Sequence, residues 1–160
     1  MHYALQRGDR VLGISRSEEY PSVMLPYRYR TNAENFLFYQ LNINHDLEQI
    51  LEIADQEEPE IVANFAAQGE VRNSWRFPDQ WYQTNCLGVV RLTEELRKRD
   101  YLWKYVTSST PEVYGTTEKN LEENHHYLPS TPYAASKLAG DLHLITLYKR
   151  YQFPVVFTRA

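Results

Sequence analysis

Apolar and polar positions along the 160-residue chain alternate between two habits. Short apolar runs bounded by turn residues predict buried strands. Longer stretches with apolar residues three and four apart predict helices. Residues 2–7 read as the tail of a helix, and Gly8 suits the position that closes it. Residues 10–14, Arg-Val-Leu-Gly-Ile, form the first expected strand. Residues 17–35 are polar, carry Pro21 and Pro26, and are expected to be irregular. Residues 36–41 give a second strand. Asp46 can cap a helix running to about residue 57, with Leu47, Ile50, Leu51 and Ala54 on one face. Pro59 stops it. Residues 60–66 are a third strand. Residues 81–99 are a long helix, packing through Leu87, Val90, Leu92 and Leu96. Residues 101–108 are a fourth strand and residues 115–131 a polar loop. Thr131 caps a helix over 132–151, with Pro132 at its favoured first position. Residues 154–158 give a fifth strand. Strands alternating with helices predict an α/β fold with a parallel sheet and crossover helices. There is no internal repeat and no low-complexity linker.

Composition narrows the class. A hydrophobic fraction of 42%, with 14% aromatic residues, is enough to build one core. Thirteen tyrosines suggest amphipathic surfaces or an interface. The net charge of −4 gives no basic footprint for nucleic acid. No apolar run approaches the ~18 residues of a membrane span, so no membrane partner is expected. The first residues lack the apolar core of a signal peptide. Cys86 is the only cysteine, so no internal disulfide can form; it reads as a small buried hydrophobe, and a cytoplasmic location is expected. No metal site is expected.

The chemistry is concentrated in two stretches: Ser-Ser-Thr-Pro-Glu-Val-Tyr-Gly at 108–115 and Ser-Thr-Pro-Tyr-Ala-Ala-Ser-Lys at 130–137. Tyr133 and Lys137 are four apart, which places both on one helix face about a turn apart. An ammonium near a phenol favours the phenolate and makes tyrosine a usable acid/base. Ser108, Ser109 and Thr110 end an apolar stretch, where a substrate oxygen could be met. The plainer alternatives are a surface Tyr-Lys pair and strand-end hydroxyls that satisfy backbone groups.

These motifs, in this order, resemble the short-chain dehydrogenase/reductase superfamily. They are most similar to its extended branch, the NAD(P)-dependent nucleotide-sugar epimerases and dehydratases. The resemblance implies a Rossmann-like, doubly wound parallel sheet. It implies that Tyr133 exchanges a proton with a sugar hydroxyl while hydride passes to or from the nicotinamide. Lys137 would hold the nicotinamide ribose and favour the tyrosinate. Thr110, with Ser109 as its near alternative, would hydrogen-bond the reacting oxygen. Glu112 matches the glutamate that removes the C5 proton in sugar 4,6-dehydratases. That family's trio is Thr-Asp-Glu or Thr-Ser-Glu; here it is Thr110-Pro111-Glu112, and proline brings no side-chain acid. Asn64-Phe65-Ala66-Ala67-Gln68 resembles the family's Asn-x-Ala-Ala segment beside the nicotinamide, and Gln68 is most like the GDP-mannose 4,6-dehydratase group. Phe65, Ala66, Ala67, Gln68 and Ser108 are thus cofactor candidates with Tyr133 and Lys137. Thr84-Asn85 with Gly88 matches a helix motif whose asparagine supports the catalytic strand. Ser15 and Arg16 follow the first strand, where doubly wound folds read the adenosine ribose. The lack of an acid there favours NADP over NAD. Asn42 and Ile43 match the adenine contact.

By the same resemblance, one feature is expected and missing. The family opens on a strand and a glycine-rich turn that seats the pyrophosphate on a helix N-terminus. The six glycines here form no such turn. The chain is therefore expected to be a partial Rossmann domain spanning 1–160, without that first strand or the C-terminal substrate domain. The leading expectation is a nucleotide-sugar 4,6-dehydratase. The alternatives are an epimerase or reductase of the same family, or a non-catalytic remnant that binds NAD(P) weakly or not at all. Helices 81–99 and 132–151 match those that pair in family homodimers.

Overall fold

The computed structural model describes residues 1–29, 32–116 and 126–159. Part of the 115–131 loop expected from the sequence, residues 117–125, lies outside the described residues. The chain divides into two compact units, residues 1–46 and 47–160.

In the first unit, α1 (His2–Gln6) ends at Gly8, whose φ of +85° is the left-handed conformation glycine adopts without strain. β1 (Val11–Ser15) and β2 (Phe36–Gln40) pair in parallel, with Val11 opposite Phe36 and Ser15 opposite Gln40. A parallel pair needs a long crossover. Among the described residues it runs through short 3₁₀ turns, Ser22–Met24, Pro26–Tyr29 and Ala33–Asn35, rather than an α-helix. The expected irregular stretch thus has local order: proline fixes the φ such turns use. Leu5, Leu25 and Tyr27 form a small core with Val11 and Phe36 against it.

The second unit begins with α2 (Leu47–Glu57), which buries Ile50 and Ala54 as its spacing predicts. β3 (Ile61–Asn64), β4 (Lys104–Ser109) and β5 (Val155–Arg159) form a parallel sheet in that order. The third strand stops two residues short of the predicted Ala66. The Asn64 carboxamide oxygen accepts from the Ala66 N–H at 3.0 Å, turning the chain out of the sheet. Between β3 and β4 run α3 (Val71–Ser74), α4 (Pro78–Tyr82), a wide π-helical turn (Gln83–Gly88) and α5 (Val89–Leu96). α6 (Pro132–Tyr151) connects β4 to β5 and packs on α4, the π turn and α5.

The sheet is divided, β1–β2 and β3–β4–β5, rather than continuous. All pairings are parallel, and the architecture is α/β and Rossmann-like. The long helix differs from expectation at both ends and in its winding, and it closes at Leu96 rather than residue 99. It starts at Pro78, not residue 81, and the π turn adds a residue to its winding. The buried face therefore runs through Trp81, Thr84, Asn85, Val89, Leu92, Thr93 and Leu96. Leu87, expected to pack, is 43% exposed because the wide turn carries it off that face.

Candidate active site

The site is best built from the tip of β4. Side chains alternate along a strand, so Tyr105, Thr107 and Ser109 all point into the interior. Ser109 reaches α6, where its hydroxyl donates a short hydrogen bond to the carboxylate of Asp141. Thr110 follows in an extended conformation and is also buried. Its Oγ1 accepts from the Glu112 N–H at 3.3 Å and so caps a 3₁₀ turn, Pro111–Tyr114. Proline at the first position of that turn lacks an N–H that would have had no partner. Pro111 thus has a structural reason to stand where the family's acid is expected. Glu112, in the first turn, is partly buried.

α6 begins as its sequence predicts. The Thr131 hydroxyl accepts from the Ala134 N–H at 3.1 Å, with Pro132 next to it. Tyr133 lies in the first turn, half-buried. Lys137, one turn on, is 6% exposed. Its Nζ donates to the Ser108 carbonyl at 2.6 Å. The ammonium is thus anchored to the strand tip, joining the two chemical stretches of the sequence. Burial pushes the Lys137 ammonium below its ordinary value, and the charge of Asp141 pulls it back up. Burial likewise raises the Asp141 carboxyl; the Ser109 hydroxyl, Arg159 and Lys137 oppose it.

Two asparagines shape the end of β3. Asn64 donates to the phenol of Tyr105 at 2.8 Å, and burial drives that phenol well above its usual range. Asn85, in the π turn, is fully buried. Its oxygen accepts from the Gln68 N–H at 2.8 Å, and its amide donates to the Gln68 carbonyl and the Ser136 hydroxyl, each at 3.0 Å. Ser136 in turn donates to the Tyr133 carbonyl at 2.7 Å. Asn85 therefore ties the 65–68 segment to the first turns of α6. Close packing makes this possible: a Cβ on Gly140 would stand 2.4 Å from the Asn85 carbonyl oxygen. Phe65, Ala66 and Ala67 are exposed, Phe65 by 72%, while their backbone is pinned from behind.

In the first unit, Ser15 and Arg16 are exposed at the end of β1. The Ser15 hydroxyl accepts from the Ser17 N–H at 3.2 Å. Ile43 is buried, and Asn42 organises a turn: its side-chain oxygen accepts from the Asn44 N–H at 2.9 Å, and its own N–H donates to Asp46 at 2.7 Å.

Asp141 is the residue the sequence reading missed. Its signal was available: it lies four residues after Lys137 and eight after Tyr133, on the same helix face. Among the described residues no cluster of acids, histidines or cysteines could hold a metal. No helix among them is long and apolar enough to cross a membrane.

A family model described as GDP-mannose 4,6 dehydratase matches residues 1–160. A dTDP-glucose 4,6-dehydratase of Xanthomonas campestris is 30% identical over 168 residues, covering 98% of this chain and 47% of its own length. A dTDP-D-glucose 4,6-dehydratase of Dictyostelium discoideum is 37% identical over 139 residues, covering 79% and 31%. The chain thus spans less than half the length of these two relatives. Among solved structures, the UDP-glucose 4-epimerase of Thermus thermophilus in complex with NAD superposes with a TM-score of 0.82 at 26% identity, covering 98% of this chain and 49% of that one.

Proposed function

The chain belongs to the GDP-mannose 4,6-dehydratase family, and we propose that it serves an NAD(P)-dependent nucleotide-sugar 4,6-dehydratase. The observation that carries this reading is the 2.6 Å bond from Lys137 to the Ser108 carbonyl. It draws the Tyr133–Lys137 face of α6 to the strand tip that bears Ser109, Thr110 and Glu112. The relatives' names support the same activity.

The residues of the second unit fit the nicotinamide end of a dinucleotide. Ala66 and Ala67 expose backbone over small side chains, which lets a flat ring approach. Phe65, Gln68 and Ser108 stand beside them as the nicotinamide-end candidates. In the first unit, Ser15 and Arg16, exposed at the end of β1, with Asn42 and Ile43, are the adenosine-end candidates. Arginine there supports NADP, since a guanidinium pairs with a 2′-phosphate. The NAD-bound Thermus epimerase supports NAD. When bound, the dinucleotide supplies hydride acceptance at C4 and its return at C6.

The protein side chains then have separate duties. The Tyr133 phenolic oxygen takes the proton of the C4 hydroxyl. Lys137, one turn on along the same helix face, holds the nicotinamide ribose. Thr110 donates to the reacting oxygen, because its hydroxyl accepts from Glu112 N–H and keeps its own proton to give. Glu112 removes the C5 proton, and water leaves across C5–C6. Pro111, which brings no side-chain acid, favours a second reading, a 4-epimerase using the same Tyr-Lys pair.

The test is to incubate the protein with NADP or NAD and either GDP-mannose or dTDP-glucose. A 4-keto-6-deoxy product supports dehydration; a C4 epimer replaces it with the second reading. Tyr133→Phe should lower turnover by about 10²- to 10⁴-fold. Glu112→Gln should block elimination, and full activity in that variant would remove the glutamate from the mechanism. Apolar side chains exposed on the paired helices, Leu87, Leu142 and Tyr148, support a homodimer through the helical run 78–96 and α6; sedimentation would give a mass of two chains. The single cysteine, half-buried and free, is in keeping with a reducing cytoplasm.

A further inference from the structure

Three neighbouring elements each send a polar side chain to one buried point. From β4 comes Ser109, whose hydroxyl donates to Asp141. From β5 comes Arg159, with Nη2 3.6 Å from the Asp141 carboxylate. From α6 come Asp141 itself, 2% exposed, and Lys137 a turn before it. Arg159 is thus the cation at ion-pair distance from this carboxylate, and Lys137 stands one turn before it on the same helix face, in an interior where an unpaired charge is costly. The two grips on β4 are consecutive: Asp141 holds the side chain of residue 109, and Lys137 holds the carbonyl of residue 108.

We propose that Asp141 is a positioning residue that keeps Lys137 an ammonium seated on the Ser108 carbonyl. A carbonyl dipole alone compensates a buried ammonium only partly, so the negative charge one turn away makes up the difference. The groups facing Lys137 are the Ser108 carbonyl, Asp141 one turn after it and Tyr133 one turn before it. Those facing Asp141 are Ser109, Lys137 and Arg159. The opposing influences on Lys137, burial against the Asp141 charge, agree with this arrangement. The consequence for catalysis rests on the dehydratase reading, in which Lys137 stands beside Tyr133 and holds the nicotinamide ribose. The ionisation of Lys137 does not rest on it.

The experiment titrates Lys137 directly. The chain is labelled with ¹³C-lysine, and the Lys137 Cε resonance, assigned by its loss in Lys137→Arg, is followed with pH in the absence of cofactor. In Asp141→Asn the midpoint should fall by about one pH unit or more. In Arg159→Gln it should rise, because a competing cation has gone and the carboxylate is left to Lys137. Loosened packing would not move the two variants in opposite directions. An unchanged midpoint in Asp141→Asn, or an unchanged or lower one in Arg159→Gln, overturns the proposal. If Asp141→Asn does not fold, the direction in Arg159→Gln decides alone. Opposite shifts together with a failed dehydratase assay would sink only the functional reading.

Discussion

The tips of β4 and β1 carry similar residues in opposite surroundings. Ser108-Ser109-Thr110 closes one strand and Ser15-Arg16-Ser17 the other. At β4 the Ser109 and Thr110 hydroxyls are buried, and each has a named partner: Asp141 for Ser109 and the Glu112 N–H for Thr110. At β1 the side chains are exposed, and the Ser15 hydroxyl serves only its own turn. The difference separates two ways of preparing a site. A residue that takes part in proton chemistry has its position set by the fold before any ligand arrives. A residue that reads the far end of a ligand can stay in water and be ordered on binding. Preorganisation at the first tip raises the cost of any change there, while the second tip is free to vary.

Substitutions ranked by expected cost probe that contrast. Gly140→Ala should be the most damaging, because its Cβ would meet the Asn85 carbonyl at 2.4 Å across packed helices. Overpacking of this kind costs about 3 kcal/mol, visible in urea denaturation. A fully stable variant would show that the β4–α6 side is less rigid than described. Ser109→Ala should follow, at about 2 kcal/mol, since it leaves the buried Asp141 without its donor. The same change at Ser15, exposed in water, should fall within about 0.5 kcal/mol. Equal costs at the two serines would erase the distinction between the tips.

A pH series sharpens the contrast further. The folded-state pKa of Asp141 is raised by burial above its ordinary 3.8. Between those two values the folded chain holds a proton that the unfolded chain has released. Stability from this group therefore falls as pH rises through that interval. Asp141→Asn should remove the fall, so the wild-type minus variant difference in denaturation free energy should decline as pH rises from 4. A flat difference would mean that the carboxyl is better solvated than its burial indicates. The smallest effect is expected for Arg16→Ala. Stability should stay within about 0.5 kcal/mol, while the preference for NADP over NAD, measured by titration, weakens. An unchanged preference would take Arg16 out of cofactor selection.

How far the sequence could be read follows the same division. The start of α6 was legible because its signals are local: a threonine, a proline and an i,i+4 pair. The tail of α1 and its Gly8 were legible for the same reason. Asp141 was not, since its meaning depends on Ser109 and Arg159, 32 residues before and 18 after it in the chain. The role of Asn85 was anticipated only as support. Its two hydrogen bonds to the Gln68 backbone need the contact between helix and strand end to be seen. The 3₁₀ crossover in the first unit could not be read from periodicity, because turns of one or two windings have none.

The wide turn at 83–88 leads to a statement about sequence length rather than energy. An α-helix advances about 100° per residue. Deleting one residue from this stretch would restore regular winding and swing α4 by that angle relative to α5. Trp81, now 2% exposed, would leave the buried face, and Asn85 would lose its line to Gln68. Substitutions at its less buried positions, Gln83, Cys86 and Leu87, change side chains only, whereas a change in its residue count changes the winding. The stretch should behave as a ruler: in a library of single-residue deletions, chains shortened here should be absent from the folded fraction, while those shortened in the exposed segment after β1 persist.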